Sequence, residues 1–154
     1  MTSPGTRYTA LVDKLKQHGH RITPQRAAIL KVFTESQDHP SVEQVYEQIK
    51  ADFPMTSLAT IYKTVTLLKE EKEILELGFA NESSRYDGNK PYPHPHLICV
   101  RCHRIIDPEI ELFNELPQEL AQKYGYQIVN QRVDFFGICP ECQVNERRQT
   151  GEKV

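Results

Sequence analysis

A chain of 154 residues with 38% hydrophobic and 26% charged side chains has the composition of one or two small globular domains, which excludes a disordered or fibrous chain. No window approaches the roughly 18 uninterrupted apolar residues of a membrane-spanning helix, and Met1-Thr2-Ser3-Pro4-Gly5 lacks the basic-then-apolar layout of a signal peptide, so a cytoplasmic location is expected. The formal charge of -2 advertises no nucleic-acid partner, yet Arg7, Lys14, Lys16, Arg21, Arg26 and Lys31 face only Asp13 before residue 33, making this end about +5 and suited to a polyanion.

In chain order, Tyr8, Leu11, Val12 and Leu15 fall at i, i+3, i+4, i+7, the stripe of an amphipathic helix. Thr23-Pro24 supplies an N-cap and a first-turn proline for a second helix running to about Glu35. Ser41 and Gln44 have capping-box spacing, and Val42, Val45, Tyr46, Ile49 and Phe53 extend a third stripe from there. A fourth helix starts near Thr56-Ser57 and is expected to bury Leu58, Ile61, Val65 and Leu68. Its other face, Ala59, Thr60, Tyr62, Lys63 and Thr66, is small, polar and free of acids until Glu70, which suits a surface entering a DNA groove. Leu75, Leu77 and Phe79 then alternate as a strand, and after Glu82-Ser83-Ser84 a second strand passes through Arg85-Tyr86. Helices closing in a hairpin describe a winged helix-turn-helix.

Beyond Asp87 the texture changes. Gly88-Asn89-Lys90-Pro91-Tyr92-Pro93 is turn chemistry. Short strands are expected at Leu97–Val100 and Arg104–Asp107, then a helix carrying Phe113, Leu116, Leu120 and Tyr124, then an alternating strand across Tyr126 to Phe136. The fold class is α+β, and Asn145 to Val154 reads as a frayed polar tail.

Cys99-x-x-Cys102 and Cys139-x-x-Cys142 are two matched thiol pairs. Thiols in a reducing compartment are poor candidates for disulfides, whereas paired C-x-x-C segments form closed tetrahedral Zn(Cys)4 sites with no open position, hence structural ones. A redox-active dithiol or four ordinary cysteines are the competing readings, although dithiol chemistry needs one pair only. His94-Pro95-His96 precedes Cys99, flanked by Asp87 and Asp107, so a nitrogen and oxygen set borders the sulfur set. Two sites of different softness suggest two metals. On an extended segment His94 and His96 point the same way, as two ligands of one ion should. His18 and His20 read as surface residues; His103 is either an outer donor beside Cys102 or an exposed turn residue.

With Arg21-Ile22-Thr23-Pro24-Gln25-Arg26, His39-Pro40, Ala59-Thr60-Ile61-Tyr62-Lys63-Thr64-Val65, the His94/His96 pair and both C-x-x-C pairs in place, the chain resembles ferric-uptake-regulator family repressors from about Arg7 to Cys142. The resemblance implies a homodimeric, metal-activated repressor binding a double-stranded DNA operator. It implies a winged-helix DNA-binding domain over 1–86, a hinge at 87–91, a metal-binding dimerisation domain over 92–144 and a flexible tail over 145–154. It also implies Zn2+ on Cys99, Cys102, Cys139 and Cys142, and DNA contacts from Arg21, Arg26, Thr60, Tyr62 and Lys63.

Within the family the chain is most similar to the peroxide-stress branch. That likeness maps a regulatory Fe2+ or Mn2+ onto His39, Asp87, His94, His96 and Asp107, with an aspartate at 107 where iron-uptake members typically carry glutamate. It makes His39 and His94 the side chains that oxidation should reach, with hydrogen peroxide as the only small-molecule signal. The sequence departs from the family pattern in two places: the stretch between Asp87 and His94 is one residue longer, and the His-rich run of many iron-uptake members is reduced to Pro93-His94-Pro95-His96. The alternatives are a repressor of iron, manganese or zinc uptake and, from another class, a thiol redox protein. With no phosphate-binding glycine loop and no nucleophile motif, enzymatic activity is not expected.

Overall fold

The computed structural model describes residues 4–79 and 81–151, which form two compact units, Met1–Tyr92 and Pro93–Val154. The fold is α+β. The first unit opens with four helices, α1 (Pro4–Gln17), α2 (Pro24–Glu35), α3 (Val42–Ile49) and α4 (Leu58–Glu70), and closes with an antiparallel hairpin of β1 (Leu75–Phe79) and β2 (Glu82–Asp87). This is a winged helix-turn-helix.

Local chemistry sets the helix starts. The Thr23 hydroxyl accepts from the Arg26 N–H at 3.2 Å ahead of Pro24. Ser41 and Gln44 exchange reciprocal bonds of 3.2 and 2.9 Å, and the Ser57 hydroxyl accepts from the Thr60 N–H at 3.3 Å. Each satisfies an amide that the first turn leaves without a helical partner. The apolar stripes converge on Leu11, Leu15, Ile29, Leu30, Phe33, Val45, Ile61 and Leu68, all essentially inaccessible to solvent. The hairpin joins this core through Tyr86, whose N–H donates to the Pro40 carbonyl at 3.0 Å and whose ring meets Phe33 edge-on at 6.1 Å.

Three expectations for this unit need correction. Leu58 is 40% exposed, because the chain turns at Ser57 and the first helical residue faces outward. Phe53 lies beyond α3, its N–H donating to the Ile49 carbonyl at 2.9 Å in a closing turn. Glu82–Ser84 belong to β2 instead of preceding it.

The second unit is a three-stranded sheet ordered β4-β3-β5, built from β3 (His96–Cys99), β4 (Ile105–Ile106) and β5 (Asp134–Gly137), with β3 and β5 parallel. A 3-10 turn at Glu111–Asn114 holds Phe113 ahead of α5 (Leu116–Tyr124), and α6 (Pro140–Thr150) follows β5. The expected long strand from Tyr126 is reduced to Asp134–Gly137; Tyr126 and Val129 are 72% and 88% exposed, so among the described residues of one chain the alternation there meets no packing surface. The expected frayed tail is helical through Thr150, while the part of it at residues 152–154 lies outside the described residues. No helix among the described residues is long and apolar enough to cross a membrane.

Candidate metal centres and nucleic-acid interface

In the second unit, β3 ends at Cys99, and a tight knuckle, with His103 at φ 63° and its N–H on the Cys99 carbonyl, turns the chain back past Cys102. Parallel pairing of Cys99 with Gly137 carries β5 to the same edge, where Cys139 caps α6 and Cys142 lies in its first turn. The four sulfurs lie within 4.8 Å of one another, and those of Cys102 and Cys139 are 3.7 Å apart. Tetrahedral zinc with bonds of about 2.3 Å needs sulfur separations of about 3.8 Å, so the donor set fits that ion.

Its electrostatics match. Backbone N–H groups of Cys139 and Arg101 donate to the Cys99 sulfur at 3.3 and 3.4 Å, and such donors hold its pKa down to about 6. Hydrogen bonding to Cys139 together with burial pushes Cys142 up to about 12. Four crowded thiols therefore do not all ionise on their own; a divalent cation among them reverses that. Arg104 with Glu141 at 3.1 Å, and Arg101 with Glu146, brace the knuckle against α6.

A nitrogen and oxygen set stands at the start of β3. Nε2 of His94 and Nε2 of His96 are 3.1 Å apart, and Asp107 oxygens lie 3.4 and 3.8 Å from them. Ligands at about 2.1 Å from one ion stand roughly 3.0 to 3.4 Å apart in octahedral or tetrahedral geometry. These three residues fit a shared cation. His96 also turns Nδ1 toward Asp134 Oδ1 at 3.3 Å, and the other Asp134 oxygen accepts from Arg132 Nε at 2.6 Å.

The first unit assembles the other two predicted donors. His39, 2% exposed and at φ 53°, directs Nδ1 to the Gln37 carbonyl at 3.1 Å and Nε2 to Asp87 Oδ2 at 3.1 Å. The first contact makes Nδ1 the protonated nitrogen, so Nε2 presents its lone pair to a carboxylate, an arrangement that a proton or metal cation relieves. Asp87 Oδ1 accepts from the Asn89 and Lys90 N–H groups at 2.9 and 2.8 Å, which aims Oδ2 at His39. Arg85 donates from its guanidinium to the Asp38 and His39 carbonyls.

On α4, Tyr62 and Lys63 face solvent; Thr60 is half-buried with its hydroxyl 3.2 Å from that of Ser57. Arg21 is exposed, while Arg26 donates to the Arg21 carbonyl at 2.7 Å. The basic excess of the N-terminal stretch is partly consumed inside the fold, since Arg7 and Lys14 pair with Glu73 at 2.7 and 2.6 Å. Sequence reasoning missed Arg85, Arg132 and Asp134, and it missed the exposure of two apolar side chains, Met55 ahead of α4 and Leu58 at its start. One signal pointed to Asp134: it is the single charge within Val133-Asp134-Phe135-Phe136.

The family model described as "Ferric uptake regulator family" matches residues 17–136. A curated relative, the "Peroxide-responsive repressor PerR" of Staphylococcus aureus, is 36% identical over 132 residues, 86% of this chain and 88% of that protein. Among solved structures, the ferric uptake regulator Fur of Helicobacter pylori, whose structure is described as revealing three functional metal binding sites, superposes with TM-score 0.75 at 25% identity over 92% of this chain and 94% of that one. The Campylobacter jejuni peroxide stress regulator superposes with TM-score 0.68 at 30% identity, covering 86% of this chain and 98% of that one.

Proposed function

The chain belongs to the ferric uptake regulator family, and on that footing we propose that it is a cytoplasmic, homodimeric, metal-dependent repressor that binds double-stranded DNA and releases it when hydrogen peroxide oxidises the protein. The observation that carries this reading is the pair of donor sets of opposite softness: four cysteine sulfurs within 4.8 Å, and the histidines and aspartates gathered at His39 with Asp87 and at His94 with His96 and Asp107. We assign Zn2+ to Cys99, Cys102, Cys139 and Cys142, where it holds the small second unit together. The regulatory Fe2+ or Mn2+ is assigned to His39, Asp87, His94, His96 and Asp107.

Held by these residues, ferrous iron would supply electrons for the reduction of peroxide, a chemistry that manganese would supply far less readily. The imidazoles of His39 and His94 are the side chains expected to gain oxygen. An oxygenated imidazole is a poorer donor, so its loss removes the selective stabilisation of the DNA-binding state. On the DNA side, Tyr62 offers its ring to a thymine methyl, Lys63 reaches a base edge or phosphate, and Arg21, Arg26 and Thr60 position the backbone.

The test uses full-length protein with its zinc in place, loaded with iron or with manganese, on a duplex selected from a random pool. Both forms bind DNA, and dilute peroxide releases only the iron form, with a one-oxygen gain on peptides carrying His39 or His94. Inactivation that tracks oxidation of the cysteines with both histidines intact makes the protein a thiol switch. Indifference of both forms to peroxide makes it a repressor governed by metal level.

A further inference from the structure

Asp134 belongs to neither donor set assigned above, yet the sheet delivers it to one of them. The parallel register sets His96 opposite Asp134, and the His96 N–H is bonded to the neighbouring Val133 carbonyl at 3.0 Å. Both side chains are withdrawn from solvent, His96 at 1% and the Asp134 side chain at 9% exposure. One carboxylate oxygen sits 3.3 Å from His96 Nδ1, and the other is taken by the Arg132 Nε–H at 2.6 Å. Its neighbours Val133, Phe135 and Phe136 are all apolar, so nothing in the strand itself calls for a carboxylate withdrawn from solvent there.

We infer that Asp134, oriented by Arg132, is a positioning residue that locks His96 as the Nδ1–H tautomer and so keeps the Nε2 lone pair aimed at the point shared with His94 and Asp107. The inference rests on the reading that His96 is a regulatory-metal ligand. An imidazole has one lone pair when neutral, and which nitrogen carries it follows from the hydrogen bond the other nitrogen makes. Asp134 is an acceptor only, so the proton belongs on Nδ1. Loss of such an outer partner typically weakens metal binding about 10-fold to 100-fold.

The Arg132 contact makes the chemistry specific. In an Asp134→Asn protein the carboxamide oxygen is drawn to the Arg132 N–H, which turns the amide NH2 toward His96 Nδ1. A donor facing Nδ1 stabilises the opposite tautomer, with the proton on Nε2 and no lone pair for metal. The near-isosteric Asn is therefore expected to bind metal no better than Ala, an outcome that packing alone does not produce.

The experiment takes the dimeric protein with zinc on its cysteines and titrates Mn2+ against a chelator, reading free Mn2+ by electron paramagnetic resonance. The proteins are parent, Asp134→Ala, Asp134→Asn, Arg132→Ala/Asp134→Asn and His96→Ala, and the His96 tautomer is read by 15N correlation before Mn2+ is added. Asp134→Asn is expected to lose about 10-fold to 100-fold in affinity with unchanged zinc content and melting, and its His96 proton moves to Nε2. Removing Arg132 as well frees the amide to turn and restores part of the affinity. An Asp134→Asn protein within about twofold of the parent, or one that keeps the Nδ1–H tautomer, overturns the inference. If His96→Ala leaves Mn2+ binding intact, the ligand reading itself fails; if His96→Ala abolishes binding while Asp134→Asn does not, only the inference fails. Should Asp134→Ala not fold, the Asn variant, which keeps shape and volume, decides alone.

Discussion

Gly88 follows one proposed ligand and touches the core at the same time. A Cβ there would stand 2.9 Å from both the Cβ and the carbonyl oxygen of Phe33, a residue with no solvent exposure. Neither neighbour can move, one being backbone and the other buried, so Gly88→Ala is expected to destabilise the first unit by about 1–3 kcal/mol in urea denaturation. The same change displaces the Asn89 and Lys90 amides that hold Asp87. A denaturation midpoint equal to the parent's contradicts this account.

Glu71 offers a second test at this scale. His20 and His18 hydrogen-bond its carboxylate at 2.9 and 2.6 Å and hold its pKa below the ordinary 4.5. A carboxylate with a depressed folded pKa adds stability above its unfolded value and loses it as pH falls through the folded value. The melting-temperature difference between parent and Glu71→Gln should therefore narrow as pH falls from about 5 to about 2. A constant difference over that range counts against the pairing.

Among the elements, α3 depends on its cap. Eight residues are too short for a helix to hold by propensity, so Ser41→Ala, which removes the hydroxyl from the capping box, should cost about 1 kcal/mol in thermal melting. For α4 the exposed face is the one proposed to meet DNA: Tyr62→Ala should weaken DNA binding, and affinity should fall with rising salt as phosphate contacts are lost. Equal affinity for Tyr62→Ala and parent removes α4 from the interface. These helices were legible in the sequence because their signals are local. Thr23-Pro24, Ser41 with Gln44, and Ser57 each satisfy amides within three residues of themselves. What escaped depends on distant partners. The alternation from Tyr126 promised a long strand, but a ladder needs a neighbour, and β3 accompanies it only from Asp134. The proposed metal-donor residues could be named from motif spacing and family likeness; Asp134 could not, because 38 residues separate it from His96 and only the parallel sheet brings them together.

At the scale of the whole molecule the two units are held by different means. The first has a continuous hydrophobic core drawing on all four helices and the hairpin. In the second, the buried hydrophobics among the described residues are Ile98, Cys99, Ile105 and Phe113, too little apolar surface to order so many residues. The proposed zinc and the proposed dimer contact have to make up the difference, and closed zinc sites contribute on the order of 10 kcal/mol to folding. Cys99→Ser/Cys102→Ser should thus abolish hydrogen-exchange protection in β3 and β5 while the α1–α4 core stays protected. Unchanged protection in β3 contradicts a structural role for the cysteines.

The β3–β5 pair also acts as a gauge. Its register matches Cys99 to Gly137 at one end and His96 to Asp134 at the other, a span of roughly 10 Å at strand rise. Anything that pins the sulfur end calibrates the imidazole end, because a slip of a single residue turns Asp134 to the opposite face of the sheet. Zinc starvation should then blunt the proposed response to peroxide as well as the fold, through misalignment of a histidine outside the cysteine site.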